Sequence, residues 1–351
     1  MTTSDVNEFL TCGTIISNQK GGLLIGWGDC KQHTHINPGE ELNVYFPDYF
    51  FSKRKPWSTY PSARELTIEE LILELEQANP CPPASLEWKS RGDAFFSESF
   101  NDLQEHFASG RLTKAVPFVF ESAEHTMNPA SLCHSLLSVL RYANHNRVYL
   151  YGFWNQEEGM LGATPEYLFQ HHDATVNVLA CGGTCERSEV SRLAQDPKQR
   201  HEHALVVKGV IESLSPFGNV TQGDIDILTL PTLCHLITPI SMRPEHSTDF
   251  DSLVHALHPT PAVGAFPKQA GMGWLKNYQT KMDRSRFGAP AGYVWRKTEE
   301  ASCYVAIRNA QWSQGQIHIG AGCGIVAQSR FDLEWQEIQL KLRSIKDLLS
   351  L

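Results

Sequence analysis

The protein is a chain of 351 residues, of which 41% are hydrophobic and 20% are charged. These shares are typical of folded globular proteins and exclude intrinsic disorder, a collagen-like repeat and a small disulfide-held scaffold. Thirty lysines and arginines against 39 aspartates and glutamates give a net charge of −9. This charge argues against nucleic acid as a partner, because binding a phosphate backbone needs a basic surface. An anionic ligand would have to meet locally placed cations or a metal ion. The length allows two domains or one large α/β body.

Nine cysteines are scattered from Cys12 to Cys323, without paired short spacings. This usage predicts a reducing compartment, and we expect the protein in the cytoplasm. Cys181 and Cys185 lie four residues apart but have no second pair or histidine at the spacing of a zinc site, which favours two buried thiols. The N-terminal stretch lacks the basic and apolar segments of a signal peptide, and no apolar run is long enough to predict a membrane span.

Residues 1–100 are predicted to form the N-terminal part of the fold, and they carry little recognisable chemistry. The pattern predicts strands near residues 22–27 and 42–46 and a helix over residues 66–77. Asn-Pro-Cys-Pro-Pro at residues 79–83 stops that helix and has the composition of a linker. In residues 101–351, strand and helix patterns alternate without another such linker and contain the candidate functional residues. We expect both parts to belong to one structural body.

Two charged residues lie in apolar surroundings. Lys114 belongs to an extended apolar run at residues 111–120, in which Pro117 marks an irregular or edge position. Such a lysine either extends its ammonium group to water or is placed for function, and from the residues alone the first is favoured. Glu166 follows Pro165 and precedes apolar residues. It is either a desolvated carboxyl group with a raised pKa or a loop carboxylate in water, which is commoner for an isolated glutamate.

Further candidates follow along the chain. Two glycines before Thr184 allow the backbone to approach a ligand closely and to present N–H donors. A helix is predicted from about residue 197, with Glu202 near its start. The alternation over residues 304–310 predicts a strand that points Arg308 to the same side as Tyr304. A second helix over residues 332–349 carries Glu334, Glu337 and Lys341 on one face. From the residues alone this face is a solvated surface with a glutamate–lysine pair.

Six ordered motifs give this pattern a likeness to a known family. They are GATPEYLF (162–169), HEHALVV (201–207), HPTPAVGAFP (258–267), VAIRNA (305–310), AGCGIV (321–326) and EWQE (334–337) followed by Lys341. Over roughly residues 105–350 the chain resembles the chorismate-utilising enzymes, which include isochorismate, salicylate, anthranilate and aminodeoxychorismate synthases. The resemblance implies an α/β (α+β) fold, in which two antiparallel sheets pack face to face with helices outside.

The resemblance also implies a ligand set. Glu202 and Glu337 match the family's Mg²⁺ ligands, and carboxylates suit this hard cation. Arg308 would grip the enolpyruvyl carboxylate of chorismate as a bidentate donor. The remaining residues implied in substrate binding are Gly183 and Thr184 near the ring and Gly322, Gly324 and Lys341 in an anion cradle.

The choice within the family depends on two positions. Lys114 matches the lysine that acts as general base on water in isochorismate and salicylate synthases. Gly182 stands where aminodeoxychorismate synthases carry a nucleophilic lysine. The resemblance therefore implies an isochorismate synthase, which adds water at C2 of chorismate and loses the C4 hydroxyl, with Glu166 as general acid and no glutaminase subunit as a partner. Lys114 would have to be neutral and Glu166 protonated, a pair of opposite requirements that acid–base catalysis needs.

Several alternatives stay open. Cys-His-Leu-Ile-Thr at residues 234–238 favours isochorismate over salicylate synthase, because salicylate synthases tend to have Gly-Ser after His-Leu. The chain could also be the chorismate-binding component of an amine-transferring synthase or a non-catalytic chorismate-binding protein. Three departures from the family pattern leave room for reduced activity or another product: Gln199 replaces an acid, Cys323 replaces an alanine and Phe287 replaces a tyrosine. A role in menaquinone or siderophore biosynthesis cannot be read from the chain.

Overall fold

The computed structural model describes residues 1–83, 85–90 and 92–351. Most of the described chain forms antiparallel strands and α-helices. The α-helices are α1 (Thr3–Thr11), α2 (Ile68–Glu76), α3 (Asp93–Ala108), α4 (Pro129–Ala143), α5 (Val190–Leu193), α6 (Pro197–Leu214), α7 (Phe250–Leu257), α8 (Lys268–Lys281) and α9 (Phe331–Leu349). Among the described residues, no helix combines the length and the apolar character that crossing a bilayer requires.

Three sheets contain the strands of the described residues. In chain order the strands are β1 (Gly13–Ser17), β2 (Leu23–Trp27), β3 (Lys31–His33), β4 (Leu42–Tyr45), β5 (Trp57–Thr59), β6 (Ser62–Leu66), β7 (Lys89–Ser90), β8 (Lys114–Ala115), β9 (Phe118–Glu124), β10 (Tyr149–Trp154), β11 (Glu158–Thr164), β12 (Tyr167–His172), β13 (Thr175–Glu186), β14 (Gly218–Gln222), β15 (Asp226–Thr229), β16 (Leu233–Pro244), β17 (Ala265–Phe266), β18 (Pro290–Trp295), β19 (Glu300–Val305), β20 (Asn309–Ser313) and β21 (Gln316–Gly322). The first sheet has the order β6-β2-β1-β10-β11-β20-β21-β9-β7, and the second has the order β14-β16-β13-β12-β19-β18-β4-β5-β3, with β15 also paired to β16. The third consists of β8 and β17.

The two large sheets pack face to face. Their inner faces share one buried cluster, in which Ile16 and Tyr151 of the first sheet meet Val44 and Tyr304 of the second. Alternate residues on the outer face of the first sheet pack against α1 to α4, α8 and α9, while α6 and α7 cover the outer face of the second. Because side chains of a strand alternate between faces, strands covered on both sides are apolar along their whole length. The expected layered fold is confirmed.

Residues 1–100 contribute strands to both large sheets. Strand β1 pairs with β10, and β4 pairs with β18. The predicted helix over residues 66–77 is α2, which begins after the capping box of Thr67 and Glu70. The helix predicted from about residue 197 is α6. Asp196 caps it by accepting a hydrogen bond from the N–H of Gln199, and Pro197 occupies its first turn.

The prediction of one strand over residues 304–310 is wrong. Strand β19 of the second sheet ends at Val305, and β20 of the first sheet begins at Asn309. The chain crosses between the sheets over residues 306–308, and Arg308 takes a left-handed backbone conformation with φ of 56°. Strand alternation therefore does not decide which way its side chain points. Likewise, the apolar run at residues 111–120 is divided at Pro117 between β8 and β9.

Candidate active site

A cavity lies beside α6, α9 and the ends of β13 and β21. We call it the main cavity. Eight of the ten residues that the sequence singled out line it, namely Lys114, Glu166, Thr184, Glu202, Arg308, Gly322, Gly324 and Lys341. The other two, Gly183 and Glu337, are not among its lining residues. Glu337 borders a second space, the side cavity, which shares Thr184 with the main cavity and also borders Lys198 and Glu334.

Lys114 is enclosed by protein. It lies on β8, opposite Phe266 of β17, and only 1% of the residue is exposed. Its Nζ atom lies 3.2 Å from Oε1 of Glu202. The interpretation favoured from the residues alone, an ammonium group that reaches water, is therefore wrong. The short β8–β17 ladder instead holds the lysine inside the cavity.

Glu166 lies in the turn between β11 and β12, and its backbone is anchored on both sides. Its N–H donates to Oγ1 of Thr164 at 3.2 Å, and its carbonyl oxygen accepts from the N–H of Val305 at 3.1 Å. The residue is 4% exposed. Burial raises the pKa of its carboxyl group to about 8, although the positive charges of Lys114 and Lys341 act against this rise. The carboxyl group is therefore largely protonated at neutral pH, as the desolvated alternative predicted.

Arg308, His235 and Thr184 form a hydrogen-bonded row along the cavity. One terminal nitrogen of the Arg308 guanidinium group lies 2.8 Å from Nε2 of His235, and Nδ1 of His235 lies 3.0 Å from Oγ1 of Thr184. Burial, reinforced by the charge of Arg308, lowers the pKa of His235 well below its usual value. The imidazole is thus neutral. Because arginine can only donate, Nε2 accepts and the Nδ1–H group donates to Thr184. This row fixes one edge of the guanidinium group.

Gly183 forms a bulge in β13. The pairing of β13 with β16 shifts register between Gly182 and Thr184, and Gly183 has φ of +72°. A Cβ atom at this position would lie 2.7 Å from the carbonyl oxygen of Gln199. Only glycine therefore lets β13 approach the start of α6 here. Gln199 accepts the Thr184 N–H with its Oε1 atom at 2.9 Å, so this N–H, expected to face a ligand, is already satisfied within the protein.

Three carboxylates and three lysines of α6, α9 and β8 form four ion pairs. Glu202 contacts Lys114 and also Lys198, whose Nζ lies 3.1 Å from Oε2. Lys198 also lies 2.8 Å from Oε1 of Glu334. Lys341 lies 2.6 Å from Oε1 of Glu337 and donates to the carbonyl oxygen of Gly322 at 2.8 Å. The face of α9 that the residues alone assigned to solvent is therefore half-buried or buried and takes part in the site.

Neighbouring charges set the ionisation of these carboxylates. Burial opposes the charge of Glu202, but Lys198 and Lys114 outweigh it and hold the pKa of Glu202 well below its usual range. Burial raises the pKa of Glu334, and the negative charges of Glu337 and Glu202 raise it further. The three carboxylates are thus close enough to repel one another. The lysines compensate this repulsion.

The donor set agrees in kind with the expected Mg²⁺. Among residues 1–83, 85–90 and 92–351, no three His, Cys, Asp or Glu side chains already converge as a metal cage. However, Oε2 of Glu334 is buried and has no hydrogen-bond partner within the described part of the chain, and hard carboxylate oxygens are what Mg²⁺ prefers. Gly324 leaves room beside the Glu202 carboxylate, because a Cβ atom at position 324 would collide with that carboxylate. The residues fit such a cation once a lysine gives up its place on Glu202.

Sequence reasoning missed three members of the site. His235 served only as a subfamily marker, Glu334 was assigned to a solvated face, and Lys198 was not singled out. Lys198 and Glu202 are four residues apart on α6, and Glu334 and Glu337 are three apart on α9. Helical spacing could have placed each pair on one face. It could not have indicated that the two faces meet.

A family profile described as chorismate binding enzyme matches residues 50–350. The chain belongs to the family of chorismate-binding enzymes. Its similarity to two solved structures shows the same fold. The menaquinone-specific isochorismate synthase MenF of Escherichia coli superposes with a TM-score of 0.79 at 19% identity, over 99% of this chain and 91% of that chain. Anthranilate synthase component I of Streptococcus pneumoniae gives 0.72 at 18% identity, over 95% and 89%.

Two curated relatives are more similar in sequence. The salicylate biosynthesis isochorismate synthase of Pseudomonas aeruginosa is 35% identical over 201 residues, which are 54% of this chain and 42% of that protein. Isochorismate synthase EntC of Escherichia coli is 32% identical over 203 residues, which are 55% of this chain and 51% of that protein. The matched segments thus span about half the length of each relative or less.

Proposed function

We propose that this protein converts chorismate to isochorismate by adding water at C2 and releasing the C4 hydroxyl. One observation carries the proposal. The main cavity of this chorismate-binding family member is lined by a buried lysine and by a buried carboxyl group whose pKa is raised to about 8. A base and a protonated acid facing one cavity are the pair that water addition with loss of hydroxide requires.

In this reaction Lys114, whose ammonium group is paired with Glu202 in the structure, must first lose its own proton to solvent and then takes a proton from the water that attacks C2. The electrons of the C1–C2 double bond move to C1–C6, those of C5–C6 move to C4–C5, and the C4–O bond breaks. Glu166 gives its proton to the departing oxygen, which leaves as water. One turnover therefore ends with Lys114 protonated and Glu166 ionised, and a proton must return from the first to the second before the next.

Positively charged groups in the cavity would attract a dianionic substrate, although the whole chain has a net charge of −9. The Arg308 guanidinium group, fixed on one edge by His235, would hold a substrate carboxylate. Glu202 and Glu337 would hold Mg²⁺, with Glu334 beside them. When bound, the cation would offset the negative charge of the ring carboxylate. Lys341, held by Glu337 and the Gly322 carbonyl oxygen, adds positive potential at this wall.

The names of the similar proteins support water rather than ammonia as the nucleophile, because the two curated relatives described above are isochorismate synthases. The position of Gly182 agrees, since a Cβ atom there would lie 2.9 Å from Cγ2 of Val206, and a lysine would force Val206 to shift. We propose that no glutaminase subunit takes part and that the protein acts in the cytoplasm. Both stay predictions.

The test is product identification in labelled water. Purified protein is incubated with chorismate and Mg²⁺ in H₂¹⁸O, with and without ammonium, and the products are separated by chromatography before mass spectrometry. We expect isochorismate that carries one ¹⁸O atom at C2, in the same amount with ammonium. An aminated product would contradict water addition, and salicylate would show that pyruvate is also eliminated. Bound but unchanged chorismate would indicate a binding protein.

A further inference from the structure

Lys198 occupies the centre of the carboxylate cluster. It lies on α6 four residues before Glu202, and its ammonium group bridges Oε2 of Glu202 at 3.1 Å and Oε1 of Glu334 on α9 at 2.8 Å. Lys198 therefore joins α6 to α9 through an ion pair with a carboxylate of each helix.

Both oxygens of Glu202 are in use. Lys114 contacts Oε1 and Lys198 contacts Oε2. A metal ion on this carboxylate would lie within a few ångströms of an ammonium group, and the two positive charges would repel each other. The Lys114 side chain is 1% exposed, whereas the Lys198 side chain is 18% exposed and borders the side cavity. Of the two lysines, Lys198 is the one with space to move into.

We propose that Lys198 is a positioning residue that acts as an internal counter-cation: it holds Glu202 and Glu334 together when no metal is bound and competes with a divalent cation for them. The proposal builds on the metal role of Glu202 in the proposed function. It predicts that the protein without substrate binds a divalent cation more weakly than its three carboxylates alone would. Lys198 thus sets the metal concentration at which the site fills.

The experiment measures metal binding without chorismate. Chelator-treated protein is titrated with Mn²⁺, and free Mn²⁺ is followed by electron paramagnetic resonance. Lys198→Met removes the charge and keeps the chain length, Lys198→Gln is a second neutral variant, and Lys198→Arg restores the charge. Lys208→Met is the matched control, because Lys208 lies on the same helix, is 62% exposed and is 3.9 Å from Glu212.

We expect both neutral variants to bind Mn²⁺ about 10- to 100-fold more tightly than the native protein, because a positive charge a few ångströms from the metal site is removed. Lys198→Arg and Lys208→Met should bind like the native protein. Without metal the neutral variants should melt at lower temperature, and Mn²⁺ should raise their melting temperature by more than it raises the native one. Adding Glu202→Gln to Lys198→Met should remove the tight site.

Unchanged or weaker Mn²⁺ binding in both neutral variants would overturn the proposal, because Lys198 would then not compete with the metal. Absence of saturable binding in the neutral variants would overturn it as well. The outcome is separable from that of the proposed function, since product identification uses native protein and chorismate. Isochorismate formation with unchanged metal affinity would refute only the role of Lys198, and tighter Mn²⁺ binding with a different product would refute only the reaction.

Discussion

Two carboxyl groups on the wall of the main cavity are similarly buried but differ in ionisation, and we call their surroundings the protonated wall and the ionised wall. Glu166 is 4% exposed and Glu202 is 6% exposed. Burial raises the pKa of Glu166 to about 8, whereas the charges of Lys198 and Lys114 overcome burial at Glu202 and lower its pKa. Burial therefore imposes a similar desolvation cost on both, and the distance to the nearest ammonium groups decides which one ionises.

The difference comes from the elements that carry the two groups. Glu166 lies in a strand connection, and no ion pair within 4.0 Å involves it among the described residues. Glu202 lies on α6, where a lysine one turn earlier reaches it and a strand lysine approaches from β8. One wall is thus suited to hold a proton and the other to hold positive charge. Substitutions at each wall should separate these roles.

The largest effect is expected at the ionised wall. Glu202→Gln removes a metal ligand of the proposed function and should lower kcat by roughly 10³-fold or more. It also leaves the buried Lys114 without its ion-pair partner, while Lys198 keeps Glu334, so the free energy of unfolding should fall by about 3 kcal/mol. Turnover assays and urea denaturation check the two effects. Glu212→Gln, an exposed position of the same helix, is the control, and near-native turnover of Glu202→Gln would refute the ligand assignment.

At the protonated wall, Glu166→Gln should lower kcat by about 10²- to 10⁴-fold while chorismate binding persists, because the amide cannot donate a proton to the leaving group. The free energy of unfolding should rise in this variant, whereas it should fall in Glu202→Gln. The folded pKa of about 8 lies above the model value of 4.5, so the native protein loses stability as pH rises from about 4.5 to 8. The variant lacks this loss and should be more stable at pH 8 by on the order of 1–3 kcal/mol.

Denaturation at pH 5 and pH 8 checks this sign, and the advantage of the variant should be larger at pH 8. The control is Glu300→Gln, a carboxylate that is 2% exposed and paired with Lys20 outside the cavity. A rate that falls only in proportion to the amount of folded Glu166→Gln protein would show that Glu166 is structural.

Lys114 connects the two walls. Lys114→Gln removes the proposed base and should lower kcat by about 10²- to 10⁴-fold. Unlike Glu166→Gln, it also removes an ion pair of Glu202, and we expect a lower melting temperature. Isothermal titration with chorismate separates binding from turnover. Lys268→Gln, a lysine that donates to the Ala256 carbonyl oxygen at the end of α7, should leave turnover unchanged. Equal losses of kcat in Lys114→Gln and Lys268→Gln would refute the catalytic role of Lys114.

The dependence of the native protein's rate on pH should show the ionisation of Glu166. Glu166 must carry its proton to act, and its protonated fraction falls about tenfold per pH unit above the pKa of about 8, so kcat/KM should fall in step with it once Lys114 has lost its own proton. Glu166→Gln has no proton to lose there, and its residual rate should lack this decline. Rates of both proteins between pH 6 and 10 check the expectation. A decline of equal steepness in the variant would assign the titration to another group.

The smallest effect is expected at Cys323, which lines the main cavity and which the family resemblance marked as a departure from alanine. Its thiol is buried, and burial raises its pKa well above the usual value, so it stays neutral. Cys323→Ala should change kcat and KM by less than about threefold, because it alters neither wall's charge. Steady-state kinetics check this. A large change would show that the departure from the family pattern tunes the reaction.

Much of this molecule can be predicted from its sequence. Helix caps at Thr67 and Asp196 determine where α2 and α6 begin, and the ordered motifs predicted the layered fold and eight residues that line the main cavity. These features are local, because a cap or a periodic pattern depends on residues a few positions apart. The family motifs add positions, but they do not state what each side chain contacts.

The charge states required the tertiary structure. Lys114 and Glu202 are 88 positions apart in the chain. The sequence alone predicted that the ammonium group of Lys114 reaches water. The crossing of residues 306–308 between sheets aims Arg308 at His235, and the meeting of α6 with α9 brings Lys198 to Glu334. A pKa depends on burial and on charges within a few ångströms in space. The distance between such groups exists only after the sheets and helices have packed.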